Sequence, residues 1–85
     1  LAVSKERLRE LLAELGAELN EASDVDADTR EQLAKLHDDI ERLTGEDSAS
    51  AVEQARSLES QFAARHPVAE RIARELADLL AKMGI

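Results

Sequence analysis

The chain has 85 residues, 44% of them apolar and 35% charged, with a single phenylalanine, no cysteine and a formal net charge of -8. That length bounds it to one domain, 1–85, with a thin core. The composition argues against disorder and removes any disulfide scaffold or thiol chemistry. The acidity repels a nucleic-acid backbone and an anionic membrane surface, and no run of about 20 apolar residues is present to span a bilayer.

Ordering so short a chain costs roughly 1.5 kcal/mol per residue, and apolar burial must nearly match that sum with almost no aromatic area. Self-association, most simply as a dimer, is therefore expected, because a copy supplies missing surface. No signal-peptide pattern is present, and the opening on Leu1 rather than methionine leaves room for an upstream initiator or leader.

The first helix is predicted from about Lys5 to Glu21, with Ser4 as its cap and a hydrophobic staple between Val3 and Leu8. Leu8, Leu12, Leu15, Leu19 and Ala22 alternate four and three and make a short heptad seam, widened by Leu11. Gly16 lies inside this helix at a cost of about 1 kcal/mol against alanine. With Ala13, Ala17 and Asn20 it makes a small-residue flank, either a tolerated exposed position or a place where a second helix approaches closely. Glu6, Glu10, Glu14 and Glu18 form an acidic ridge. A solvated face is the simpler reading, and Arg56, Arg65, Arg71 and Arg74 are the candidates if the ridge faces basic side chains.

A linker, Ser23 to Ala27, follows. Asp28 and Glu31 read as a capping box that opens the second helix. Asp24, Asp26 and Asp28 copy the opening of a calcium loop, but Thr29 and Lys35 then stand where such a loop needs glycine and glutamate. The second helix carries Leu33, Leu36, Ile40 and Leu43 and is expected to stop near Leu43 or Thr44, with Gly45 past its end. Thr44 to Ala49 reads as loop.

The third helix is expected to start near Ala51, capped by Ser50 with Glu53. Its stripe of Val52, Ala55, Leu58 or Glu59, and Phe62 is thin because alanines fill it. Pro67 forces a break, so the third helix should stop near Arg65 and the fourth should start at Pro67. The alternative is one long helix kinked there. The fourth helix carries the ladder Ile72, Leu76, Leu79 and Met83 beside Leu80, with Gly84 at its end and Ile85 folding back onto Leu80. The expected pairs within helices are Glu31–Lys35, Asp38–Arg42, Glu70–Arg74 and Asp78–Lys82.

The fold class is thus all-α: four short helices as two antiparallel hairpins, about 4–44 and 50–83. Phe62, His66, Pro67, Leu76, Leu80, Met83, Gly84 and Ile85, with Leu8, Leu11 and Leu12 at the opening, resemble a small uncharacterised bacterial family, domain-of-unknown-function family number 4404. The resemblance implies a short, free-standing cytoplasmic protein and brings no activity, substrate or cofactor. Val68 and Ala69 depart from the bulkier leucine expected after the proline.

No catalytic or cofactor constellation is present. His37 and His66 lack a metal-motif spacing, and His66 is expected to line or cap the turn before Pro67. The serines lack a nucleophile elbow, and no glycine loop suits a phosphate. No Glu-x-x-His motif supports a di-metal bundle.

The expected function is a non-catalytic helical module working by protein contact, as a homodimer or as an adaptor that takes a helix from another protein. The alternative is a small regulatory protein binding a metal or small ligand at His37, His66 or the Asp24–Asp28 cluster. The candidate interface is Leu8, Leu12, Leu15, Leu19, Leu36, Ile40, Phe62, Ile72, Leu76 and Leu79.

Overall fold

The computed structural model describes residues 5–42 and 48–83. They form α1 (Lys5–Glu21), α2 (Ala27–Glu41), α3 (Ser48–Phe62) and α4 (Pro67–Met83). The expectations for Val3, Ser4, residues 43–47, Gly84 and Ile85, and for the Met83 side chain, lie outside the described residues.

Each helix packs on two neighbours. α1 touches α4 and α2, α3 touches α4 and α2, and the diagonal pairs lie farther apart. The result is a four-cornered bundle measuring 36 × 22 × 19 Å, the size of helices about 10 Å across set two by two. The contact between α3 and α4 is the most extensive and that between α1 and α2 the least.

α1 has the expected bounds, and its leucine seam faces inward: Leu8, Leu11, Leu12, Leu15 and Leu19 are all buried. α2 begins earlier than the Asp28–Glu31 box implies. Asp26 is the cap, in extended backbone, and its Oδ1 accepts the Thr29 N–H at 2.9 Å. Three aspartates within five residues offer the same local signal, and the first one able to reach a free N–H two or three residues on takes it. α2 ends at Glu41, with Arg42 as its C-cap.

α3 also begins earlier than expected, at Ser48 rather than Ala51, so Ser50 lies inside the helix and exposed, and Ala49 is helical rather than loop. Ala51 is fully buried and lies one turn inside the helix rather than at its start. α3 closes three residues before the expected Arg65. Beyond Phe62 the chain tightens into a turn in which the N–H groups of Arg65 and His66 both donate to the Phe62 carbonyl. α4 then starts at Pro67, so the break, not the kinked single helix, is what forms.

The seams differ in chemistry. α3 and α4 meet through buried alanines, Ala51 and Ala55 on one and Ala69, Ala73 and Ala77 on the other, flanked by Leu58, Phe62, Leu76 and Leu80. Arg74–Glu59 at 3.1 Å and Arg56–Asp78 at 3.0 Å close that seam on the outside. Of the pairs expected within helices, Glu70–Arg74 forms at 3.2 Å. Arg42 takes Asp39 at 2.6 Å in place of Asp38, and Asp78 takes Arg56 in place of Lys82.

α2 and α3 meet through a polar ladder. Gln54 Nε2 donates to Asp39 Oδ2 at 2.6 Å, Gln32 Nε2 to Ser57 Oγ at 3.2 Å, Gln61 Nε2 to Gln32 Oε1 at 2.7 Å, and Thr29 Oγ1 to Gln61 Oε1 at 2.9 Å. α2 buries only Thr29, Leu36 and Ile40. It is held as much by hydrogen bonds as by apolar burial.

Three carboxylates in this frame are held below their usual range. Asp26 is lowered by the Thr29 N–H, Asp39 by the Gln54 amide and then Arg42, and Glu41 by the hydrogen bonds from Arg9. The unfolded chain therefore binds protons more readily than the folded one. The ionised groups stabilise the fold above the ordinary carboxylate range, and that contribution drains away as pH falls from about 4 toward the lowered folded-state values. Thermal melts in acid should show stability falling below about pH 4, and falling less steeply in the double variant Asp39→Asn, Glu41→Gln. An unchanged acid slope in that variant would contradict the assignment.

Candidate functional site: the groove between α1 and α2

The ten residues expected at an interface divide plainly. Leu8, Leu12, Leu15, Leu19, Leu36, Ile40, Phe62, Ile72 and Leu76 are buried among the chain's own helices, and Leu79 is partly buried against them. Their apolar area is already used within the chain.

What stays open is a groove of about 390 Å³ along the least intimate seam. α1 contributes Arg9, Leu12, Ala13, Gly16, Leu19 and Asn20, and α2 contributes Arg30, Leu33, Ala34 and His37. Two braces hold the helices together at the groove's ends. At one, Arg9 Nε and Nη2 each donate to a different Glu41 oxygen at 2.8 Å, a two-pronged fit that suits the planar guanidinium, and Lys5 Nζ donates to the Glu41 carbonyl at 2.7 Å. At the other, Arg30 Nη2 donates to the Leu19 carbonyl at 2.9 Å and the Ala22 carbonyl at 3.4 Å, and Nη1 donates to Asn20 Oδ1 at 3.4 Å. Arg30 thereby satisfies carbonyls at the C-terminal end of α1, where cations are favoured.

Between the braces the facing side chains are too small to fill the gap. A Cβ added at Gly16 meets nothing within 4 Å, so no helix of this chain makes the close approach that the small-residue flank invites. Gly16→Ala should accordingly stabilise the protein by about 1 kcal/mol through helix propensity alone, read as a raised urea midpoint with an unchanged slope. A loss of stability would mean that a neighbour needs the space.

The groove's charge is unlike that of the chain. With 19 acidic against 11 basic residues overall, the lining holds two arginines, one histidine and no carboxylate. His37 Nε2 lies 3.8 Å from Glu41 Oε2 at the Arg9 end. The acidic ridge of α1 lies elsewhere. Glu10 and Glu14 pair with Arg7 of the same helix at 3.0 and 3.8 Å, and Arg7 also reaches Glu75 on α4 at 3.1 Å. Of the four arginines considered for that ridge, Arg56 and Arg74 pair within the α3–α4 seam and Arg65 lies 3.7 Å from Asp24.

His66 turns toward the first linker rather than toward a free N–H of α4. Its Nε2 lies 3.3 Å from Asp24 Oδ1, and its ring meets Phe62 edge-on with centroids 5.9 Å apart. This tether ties the α1–α2 connection to the α3–α4 turn. Among the described residues no group of three or more His, Cys, Asp or Glu is placed to hold a metal, and no helix is long and apolar enough to cross a membrane. The sequence flagged the α1 side of the groove through Gly16 and its neighbours. On α2 it placed Leu33 in the apolar stripe with Ala34 and His37 alongside, and it did not flag Arg30. The signal available there was the run from Leu33 to His37, in which none of the three groove-lining positions carries an acid.

Fold and groove together define a small all-helical bundle whose core closes on itself and whose α1–α2 seam stays open. The chain belongs to the family described as Domain of unknown function (DUF4404), which matches residues 8–85. No curated protein and no solved structure matches it.

Proposed function

We propose that the protein is a non-catalytic helical module that works by contact with other protein chains, through the α1–α2 groove. The observation that supports this is the groove itself: an apolar trough with polar ends, left unfilled along the bundle's least extensive helix contact. Its lining holds no nucleophile beside a base, the pairing that covalent catalysis uses.

Self-association remains the simplest form of such contact for so short a chain. Because the leucine stripes are enclosed, a dimer has to use outer faces such as the groove, or exchange whole hairpins. Light scattering after size exclusion, across a wide concentration range, tests it: a mass that rises to that of two chains supports self-association, and a compact monomer throughout leaves only a different partner.

A small regulatory protein that binds a ligand is the second reading. The groove's volume, within the roughly 300–1,000 Å³ of small-molecule sites, favours it. A cytoplasmic bacterial setting goes with the proposal and rests on the sequence resemblance alone.

A further inference from the structure

We propose that the α1–α2 groove receives an acidic amphipathic helix from a partner protein. This rests on the protein-contact reading above and names the partner's chemistry. Three features of the groove argue for it.

The first is shape. From Arg9 to Asn20 the groove follows eleven positions of α1, roughly 16 Å or three helical turns. Its floor is apolar, with Leu12, Leu19 and Leu33, and its middle is opened by Gly16 and Ala34. A trough of that length accepts two or three apolar side chains at helical spacing, the way amphipathic helices dock into grooves.

The second is charge. No carboxylate lines the groove although acids outnumber bases in the chain. Every hydrogen bond of Arg30 goes to a neutral oxygen, so its positive charge has no carboxylate partner among the described residues. Arg9 gives both prongs to Glu41 and also lies near Glu6, which makes Arg30 the main anchor and the Arg9–His37 end a weaker second. The net charge of -8 repels an acidic partner only at a distance. At physiological salt fields fade over about 8 Å, so a seated helix feels the groove's own cations.

The third is register. The groove's two ends, Arg30 at one and the Glu41-paired Arg9 beside His37 at the other, are about three turns apart, and helix positions i and i+11 lie on one face. A matching helix therefore carries acidic residues eleven apart, with apolar residues between them on the same face.

The test uses the full chain and a defined probe. A fluorescein-labelled helical peptide of about 16 residues carries glutamates at i and i+11 and leucines at i+4 and i+7, a length set by the groove. A second peptide has lysine in place of both glutamates. Anisotropy is expected to show the acidic peptide binding at least about tenfold more tightly, with the difference shrinking in 0.5 M salt. Gly16→Leu fills the trough without disturbing the core, so it should weaken binding by about tenfold or more while its melting temperature stays level or rises. Equal affinity of the two peptides, no binding up to millimolar concentration, or undiminished binding to folded Gly16→Leu would each overturn the proposal. A dimer seen by light scattering with no peptide binding would overturn the acidic-helix partner and leave the protein-contact reading standing. Binding of decanoate at the groove, with no binding of either peptide, would overturn both.

Discussion

Replacing Leu15 by alanine is expected to remove about 2–5 kcal/mol of stability, the range for a fully enclosed leucine whose cavity does not collapse. Leu15 sits at the middle of α1 with no solvent exposure, one turn from Leu11, Leu12 and Leu19 and two turns from Leu8 on the same buried face. A domain of this length has a total stability of roughly 4–13 kcal/mol, so the loss is a large fraction of the whole. Each kcal/mol moves the midpoint by about 4–8 °C in a domain this small. The melting temperature should therefore fall by tens of degrees, and a chain at the low end of the range should be mostly unfolded at room temperature. Helical circular dichroism in urea and on heating measures this directly. Leu79, only partly buried against the core, supplies the scale: Leu79→Ala should cost clearly less. A Leu15→Ala effect below about 1 kcal/mol, or one no larger than that of Leu79→Ala, would mean that the seam of α1 is not enclosed as described.

How far the sequence could be read is clearest in α1 and α2. The bounds of α1 and the inward turn of its leucines were legible because alternation of four and three is a local signal that survives into the fold. The break at Pro67 was legible for the same reason: the proline acts on its own neighbours. The start of α2 was misplaced by two residues. Asp26 and Asp28 offer similar caps, and the choice is made by backbone geometry at Asp26 and the tie of Thr29 to Gln61 on α3. The start of α3 was misplaced because Ser48 and Ser50 offer similar local capping signals, and the helix begins at the earlier of the two.

The groove was half legible. Gly16 and its small neighbours announced an unfilled flank on α1. Its other wall is set by the brace from Arg9 to Glu41, thirty-two positions apart, and no local pattern encodes such a pairing. The enclosed stripes were read correctly as apolar faces. Whether they close on their own chain or on a copy depends on how four helices meet, and spacing does not carry that.

The alanines of the α3–α4 seam give the second large effect. Ala73→Leu is expected to destabilise the protein by about 1–3 kcal/mol, the usual range for overpacking, even though leucine is nearly as good a helix former and more apolar. The reason is position. Arg74 and Asp78 mark the flank of α4 that faces α3, and Arg56 and Glu59 mark the flank of α3 that faces α4. At 100° per residue, Ala73 and Ala77 fall between that flank and the core leucines of α4, and Ala55 falls in the same place on α3. All three are fully buried, and their small size is what lets the two axes come close enough to make the bundle's most extensive contact. A leucine at 73 has to push the axes apart or leave its preferred rotamer, and either response reaches Leu76, Leu80 and Phe62. Ala34→Leu on the exposed wall of the groove makes the same chemical change in open space and should be nearly neutral in urea unfolding. If the two variants lose equal stability, close approach through alanine is not what sets the α3–α4 seam. If Ala73→Leu alone is destabilised, and its helical signal persists with a broadened transition, the small residues that looked like a thin core in the sequence are the ones that define which helices pair most tightly.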